Sequence, residues 1–472
     1  MTEATPPRHI RRWQRLATRL TPMNRGLVGE ATETALAELG ATYSNFEQVS
    51  VAAEDTCQGW QVPPGWEVDS ARLYDPSGRI IADCDWHPLH VFIYSPPFSG
   101  DIDLDELQGH LMSDPDRPDS VPFHFRNQYR HWDPIWGFCL PHNVRANLPD
   151  GKYHVDIRTR FTASPLALGH QIHAGENAES VLLLSHIDHP GQCADGLMGC
   201  LAGHEVLERL AGRSTKLTYR MLTTVEIVGT VFYARDYVDS HHLQDALFLE
   251  MPGTNAPLVY AQSARGRSVM DRIVGHLLTH RERSCQVVGF RESIGNDEIA
   301  LDVVGVGIPC GSLIQWPYPH YHTNADSPDK IDPQNFEDYI DLVQDAIDVL
   351  EKNARLVPHF KGLPCLAHPD IDLYLVPPRH ADPDQEPNGV AARLLSLLPT
   401  QAQRASAVEH GKRLAHLRNV IPSQADARTT TLDLAELMEV PFFLVDAYTD
   451  LWVQAGLLEK PWHHPYRDHT VE

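Results

Sequence analysis

Val181-Leu182-Leu183-Leu184 runs without a polar member into Ser185-His186-Ile187-Asp188-His189-Pro190-Gly191-Gln192-Cys193-Ala194-Asp195-Gly196. The apolar run reads as a parallel strand buried on both faces, whose carboxyl end delivers His186. Open α/β sheets bind ligands at that edge, so a cluster of imidazoles and carboxylates there is a candidate site rather than a solvated face.

The surrounding chain keeps the rhythm such a sheet requires. Between about 150 and 355, strand-like and helix-like segments alternate: after the opening run, Leu197, Leu201, Leu207 and Leu210 form an approximate helical stripe, and KLTYRMLTTVE (216–226) and ALFLEM (246–251) read as further strands. A last helix is announced by Asp332 as N-cap and Pro333 in its first turn, with Phe336, Ile340, Val343, Ile347 and Leu350 on one face. This alternation predicts an α/β sandwich with a mainly parallel sheet, made of residues 1–56 and 125–365. Residues 57–124 are expected to form an inserted β-rich subdomain, because short strand-like pieces there are separated by turns such as Asp75-Pro76-Ser77-Gly78. Its tryptophans are assigned chiefly to packing. The Pro-, Asp- and His-rich stretch 366–395 reads as a linker, and 396–472 as a separate unit of helix-turn-helix or winged-helix pattern. The second helix of that pattern carries Asp446 and Asp450 and no Arg or Lys, which suits packing or homo-oligomerisation and opposes contact with DNA.

Composition narrows the partners. The 472 residues include 63 acidic and 39 basic side chains, a formal charge of −24 that repels nucleic acid, and no basic patch exists beyond RRWQRLATR near the start. That segment lacks the apolar region of a secretory signal, and no run of about 18 apolar residues is present to cross a bilayer, so a cytoplasmic protein without membrane contact is expected. Eight scattered cysteines without a CxxC pair suggest free thiols.

Four separate places set acids or imidazoles at strand ends or adjoining loops: His186/Asp188/Asp195, Glu226 in TTVEIVGT, Glu250 in FLEMPG, and His322 in PHYHTNADSPDKID. Singly each has a plain structural explanation, Asp195 as a helix N-cap for instance. Projecting from one edge, they supply the imidazole and carboxylate donors that zinc takes, enough for one or two ions. Asp188, two residues after His186, points to the same side of an extended chain and can orient that imidazole. His189 and Pro190 are assigned to shaping the loop.

WQVPPGWEV, LHVFIYSPP, WGFCLP, SHIDHPGQCADGLMG, EIVGTVFY, GNDEIALDVVGVGIPCGSL and PHYHTNADSPDKID stand in this order along the chain. In these segments it resembles the DUF4910 aminopeptidase-like proteins, which carry an inserted DUF2172 subdomain and a C-terminal winged helix and are similar to M28-type zinc peptidases. The resemblance implies a phosphorylase/hydrolase-like α/β/α sandwich. It also implies His186, Asp195 and His322 as metal ligands, with Asp195 able to bridge two zinc ions. Glu226 stands where the peptidases place a Glu-Glu pair, but Val225 replaces one member. Glu226 is therefore general base or ligand, with the base preferred. Glu250 takes the place of an acidic ligand, Asp297 and Glu298 are candidates to hold a substrate ammonium group, and Tyr321 to polarise a carbonyl.

The expected activity is zinc-dependent hydrolysis of a peptide or amide bond, on a small peptide or aminoacyl amide. Two alternatives remain at this stage: a non-hydrolytic binding or regulatory protein on a peptidase fold, and acyl transfer or cyclisation at the same metal site.

Overall fold

The computed structural model describes residues 8–281, 285–376 and 389–467. Ser180–His186 is buried at every position, as the unbroken apolar run requires. It is one of four parallel neighbours, in the order Thr218–Thr224, Ser180–His186, Leu243–Glu250 and Cys310–Gln315. Beyond Thr218–Thr224 the sheet continues with antiparallel Leu166–His173 and Phe46–Val51; beyond Cys310–Gln315 it continues with Leu258–Ala261 and Cys285–Val288. The eight-stranded sheet is therefore mixed, with its parallel part at the centre.

Register decides what meets at the edge. His186 pairs with Thr224, so Glu226 emerges just past the neighbouring strand, and Glu250 closes the strand on the other side. The helix Gly199–Leu210 begins after a five-residue turn, Ala194–Met198, that contains Asp195. His322 lies in the loop after the fourth parallel strand. All four parallel strands thus send chemistry to their carboxyl ends.

The subdomain differs from its expected limits of 57–124. Its four-stranded antiparallel sheet, Ile80–Asp83, Gly65–Tyr74, Lys152–Thr162 and Phe98–Asp103, takes one of its two inner strands from beyond residue 124. Tyr153, Val155 and Ile157 alternate inward in that strand, a period-two pattern that completes the small core.

The chain divides into two compact units, Met1–Asp271 with Ser284–Asp341, and Arg272–Arg283 with Leu342–Glu472. The second therefore starts well before residue 396. Leu366, Leu373 and Leu375 are buried in it, so the first part of the expected linker packs; residues 377–388 of that stretch lie outside the described residues. Here Thr431–Met438 begins with a capping box between Thr430 and Asp433, and Phe442–Gln454 follows. Leu458–Glu459 then pairs antiparallel with Val357–Pro358. Lys460 holds both Asp446 and Asp450 at 2.6 Å, one cation between the two acids of the second helix. Among the described residues no helix is long and apolar enough to cross a membrane.

Candidate metal centre

The backbone that carries the site is itself unusual. Gly196 has φ 84°, and a Cβ there would lie 2.5 Å from the carbonyl oxygen of His186 and 2.6 Å from its ring, so only glycine lets the Asp195 turn close over the strand end. His189 and His322 also adopt positive φ, 90° and 56°, a conformation with a steric cost for non-glycine residues that clusters at functional sites. Asp326 anchors the turn: its carboxylate accepts from the N–H groups of Cys193, Ala194 and Asp195 at 3.1, 2.8 and 3.0 Å, and from the Tyr318 hydroxyl at 3.0 Å. Burial pushes Asp326 up to about 7 even against these donors. The fully buried Arg25 adds a second hold, donating to the carbonyls of His189 and Gln192.

Around this frame the ligand-type atoms converge. His186 Nε2 lies 3.0 Å from Glu250 Oε2 and 3.6 Å from Asp195 Oδ1. The other oxygen, Asp195 Oδ2, lies 3.1 Å from His189 Nδ1 and 3.2 Å from His322 Nε2. His189 Nε2 donates to Glu226 Oε2 at 3.0 Å. His186, His189, Asp195 and Glu250 are buried, while the side chains of Glu226 and His322 keep 16% and 17% exposure, which leaves the centre one approach from solvent.

Asp195 Oδ2, His189 Nδ1 and His322 Nε2 all lack a well-aligned hydrogen-bond partner, although Asp195 Oδ2 stands within contact distance of both ring nitrogens. Tetrahedral ligands about 2.0–2.2 Å from zinc are spaced roughly 3.3–3.6 Å apart, close to the separations here. His186, His189 and Asp195 form one group able to hold a metal, and Asp188, His189 and Glu226 a second. The donor set fits a divalent cation of zinc type.

Charge gives the same answer. Asp188, Asp195, Glu226 and Glu250 crowd into one enclosure, an arrangement that requires positive charge. Without metal the histidines provide it. Burial works against a charged His189, yet Asp195 and Glu226 carry it up to about 10, and Glu250 and Asp188 raise His186 likewise. A cation bound between these groups would release those protons.

Other predicted residues divide. Asp188 Oδ1 lies 3.5 Å from His186 Nδ1 and accepts from the Glu226 N–H at 2.9 Å, while Oδ2 accepts from Gln128 Nε2 at 2.8 Å. Asp297 is buried beside the cluster and accepts from the Thr230 hydroxyl at 2.6 Å; burial holds its carboxyl well above the usual range. Glu298 turns elsewhere, paired with Arg291 at 2.8 Å and accepting from the Asn296 N–H, so it shapes the loop rather than joining Asp297 toward a substrate. Tyr321 stacks on His322 with ring centroids 3.8 Å apart. His189, read from sequence as loop-shaping, instead places its ring between Asp195 and Glu226; its spacing of three from His186 was the available signal. Gln128, Asp326 and Tyr129, whose hydroxyl bonds Glu226, were missed, and nothing local to them marks a role.

The mixed sheet, parallel at its centre, is shared with solved aminopeptidase structures. Against BSAP, a zinc aminopeptidase from Bacillus subtilis, the TM-score is 0.54 at 14% identity, covering 72% of this chain and 93% of that one. A family model described as "Domain of unknown function (DUF4910)" matches residues 14–353, and the chain belongs to that family. A "putative peptidase" of known structure from Clostridium acetobutylicum superposes with a TM-score of 0.77 at 23% identity over 96% of each chain. A relative from the same organism is named "Putative polysaccharide biosynthesis protein with aminopeptidase-like domain". It is 28% identical over 297 residues, 62% of this chain and 67% of its own.

Proposed function

We propose that the protein is a zinc-dependent hydrolase of peptide or amide bonds, acting on a small peptide or aminoacyl amide. The observation that carries this reading is the pair of contacts made by the two Asp195 oxygens, one toward His186 and the other toward His322, the second without hydrogen-bond alignment. In it, His186, Asp195 and Glu250 would hold one ion, and Asp195 with His322 and His189 or Glu226 would hold another. The aminopeptidase-like name of the relative and the zinc aminopeptidase of the same fold support it.

Bound zinc supplies a Lewis acid that polarises a carbonyl and acidifies water. The protein's own groups do the rest. Glu226, half-buried and oriented by the His189 N–H, is placed to take a proton at Oε2. Asp188 fixes the His186 ring and, through the Glu226 N–H, the backbone that carries the base. Asp297 offers a carboxyl to a substrate amine.

Metal analysis of the purified protein tests the reading. Substantial zinc should be present in the wild type and lost in His186→Ala and His322→Ala; unchanged content in both variants would sink it. In Glu226→Gln, turnover of aminoacyl amides should collapse while zinc stays bound, and loss of zinc instead would make Glu226 a ligand.

A further inference from the structure

Glu226 also borders a cavity of about 290 Å³, whose other walls include Leu27, Trp60, Tyr129, His131, Trp132 and Val228. Besides Leu27, its walls come from three places in the chain and are held independently of any ligand. Trp60 stands on a hairpin, Thr56–Cys57 with Trp60–Gln61, turned by Gln58 and Gly59 with φ of 50° and 88°. Two successive left-handed residues make the tight two-residue turn that matches strand twist, so the backbone that carries Trp60 is preset. Asp55 fastens the hairpin to Arg235 of the helix Val228–Tyr237 at 2.9 Å, and that helix contributes Val228. The third wall is the segment around Arg126–Tyr129, where Asn127 Nδ2 donates to the carbonyls of Ile93 and Ile135. From this segment Gln128 reaches Asp188, so the cavity wall and the proposed catalytic groups are one connected structure.

The wall chemistry selects what fits. Apart from Glu226 no lining side chain carries a formal charge, and burial pushes His131 below its usual range, so it adds none. A carboxylate placed there would find no cation; an ammonium would find only Glu226, already engaged by His189. Beside the amides of Gln58, Gln61 and Gln128, the indole, phenol and imidazole walls favour a ring, which gains from offset or edge-on packing beyond its buried area. The volume lies at the small end of ligand pockets, with room for one side chain and not for an extended peptide. Trp132 is 64% exposed, a large apolar side chain left open beside this cavity.

Building on the hydrolase reading, we infer that this cavity receives the aromatic side chain carried next to the scissile carbonyl, with Trp60 and Trp132 as specificity-determining residues. The substrates are then amides of aromatic amino acids.

Binding calorimetry on the full-length, zinc-containing protein separates this inference from the hydrolase reading, with L-phenylalaninamide, L-alaninamide, L-lysinamide and N-acetylglucosamine as probes. Phenylalaninamide should bind at least tenfold more tightly than the others. Trp132→Ala and Trp60→Ala should each remove most of that preference while leaving alaninamide affinity within about twofold, and Trp132→Phe should restore it. Equal affinity for phenylalaninamide and alaninamide, a preference that survives both alanine variants, or tighter binding of the sugar would overturn the assignment. If the binding pattern holds and no amide is cleaved, the hydrolase reading fails and the pocket stands. If amides are cleaved without the pattern, the reverse is true.

Discussion

One strand, Leu243–Glu250, carries a buried acid near each end, and the two acids live in opposite surroundings. Asp245 and Glu250 are each 1% exposed. Near the amino end, Asp245 accepts from the N–H groups of Met270 and Ala246 at 2.9 and 3.0 Å, and its neighbour Asp271 is saturated by the Tyr260 hydroxyl and the N–H groups of Ser263 and Ser268 at 2.8–2.9 Å. At the carboxyl end, Glu250 accepts from the N–H groups of Gly196 and Met251 and, at 3.4 Å, from Asn296 Nδ2, but its second oxygen also faces His186 in a cage of further acids and imidazoles. Burial alone therefore does not distinguish structural acids from functional ones. The difference lies in what else faces the acid: backbone N–H groups and hydroxyls at one end, other ligand-type side chains at the other.

The largest expected effect comes from Glu250→Gln. The amide is nearly isosteric, and its oxygen can keep the Gly196 and Met251 contacts while an NH₂ replaces the oxygen facing His186. Since changes outside the ligand shell cost about 10–100-fold in metal affinity, loss of a ligand is expected to cost about a thousandfold, about 4 kcal/mol. In the metal-free protein the same change removes the acid that pairs with a protonated His186, so the metal-free variant should also be less stable than metal-free wild type. Competition with a fluorescent zinc chelator, together with melting of the metal-free proteins, checks both halves. Wild-type affinity for zinc in the variant would erase the distinction between the strand ends.

Asp271→Ala should act the other way. Removing the acceptor strands the Tyr260 and Ser263 hydroxyls, the buried Ser263 N–H and the half-buried Ser268 N–H, which should destabilise the protein by about 2–4 kcal/mol in urea unfolding. Zinc content, measured on the folded protein, should be unchanged. A variant that folds normally but loses metal would show that the two ends are not independent.

The same contrast explains what was legible in the sequence. Val181 to Leu184 could be read because total burial leaves no polar position, and His186, Glu226 and Glu250 because parallel strands bring their carboxyl ends together whatever the loops do. Family resemblance supplied His322. The direction of His189 was not legible: its ring enters the cage only because the backbone turns left-handed at that residue. Asp326 and Gln128 act on Asp195 and Asp188 from 131 and 60 residues away, through backbone N–H groups and one amide, and composition records neither. The strand Lys152–Thr162 did have a period-two signal, but its pairing with Gly65–Tyr74 is a fact of topology. Glu298 shows the converse limit, since an acid in a matching motif is turned away by one local arginine.

The smallest effect sharpens the comparison most, because it has a sign that changes with pH. Burial, reinforced by Asp271, raises the Asp245 carboxyl to about 8, despite the Met270 N–H. Its unfolded value is about 3.9, so between about pH 4 and 8 the native state binds more protons than the unfolded chain, and stability from this group is lost as pH rises through that window. Asp245→Asn removes the titration. Its amide oxygen can still accept from Met270, and Ala246 N–H already donates to the Pro309 carbonyl at 2.9 Å, so the NH₂ can take the other side at little cost. The variant should match wild type near pH 4 and exceed it by roughly 1–3 kcal/mol near pH 8. Urea midpoints across that range provide the measurement, with zinc content constant as the control. A gain independent of pH would mean that Asp245 is not titrating, and a loss at pH 8 would mean that its charge is held by the helix N-terminus more strongly than burial opposes it.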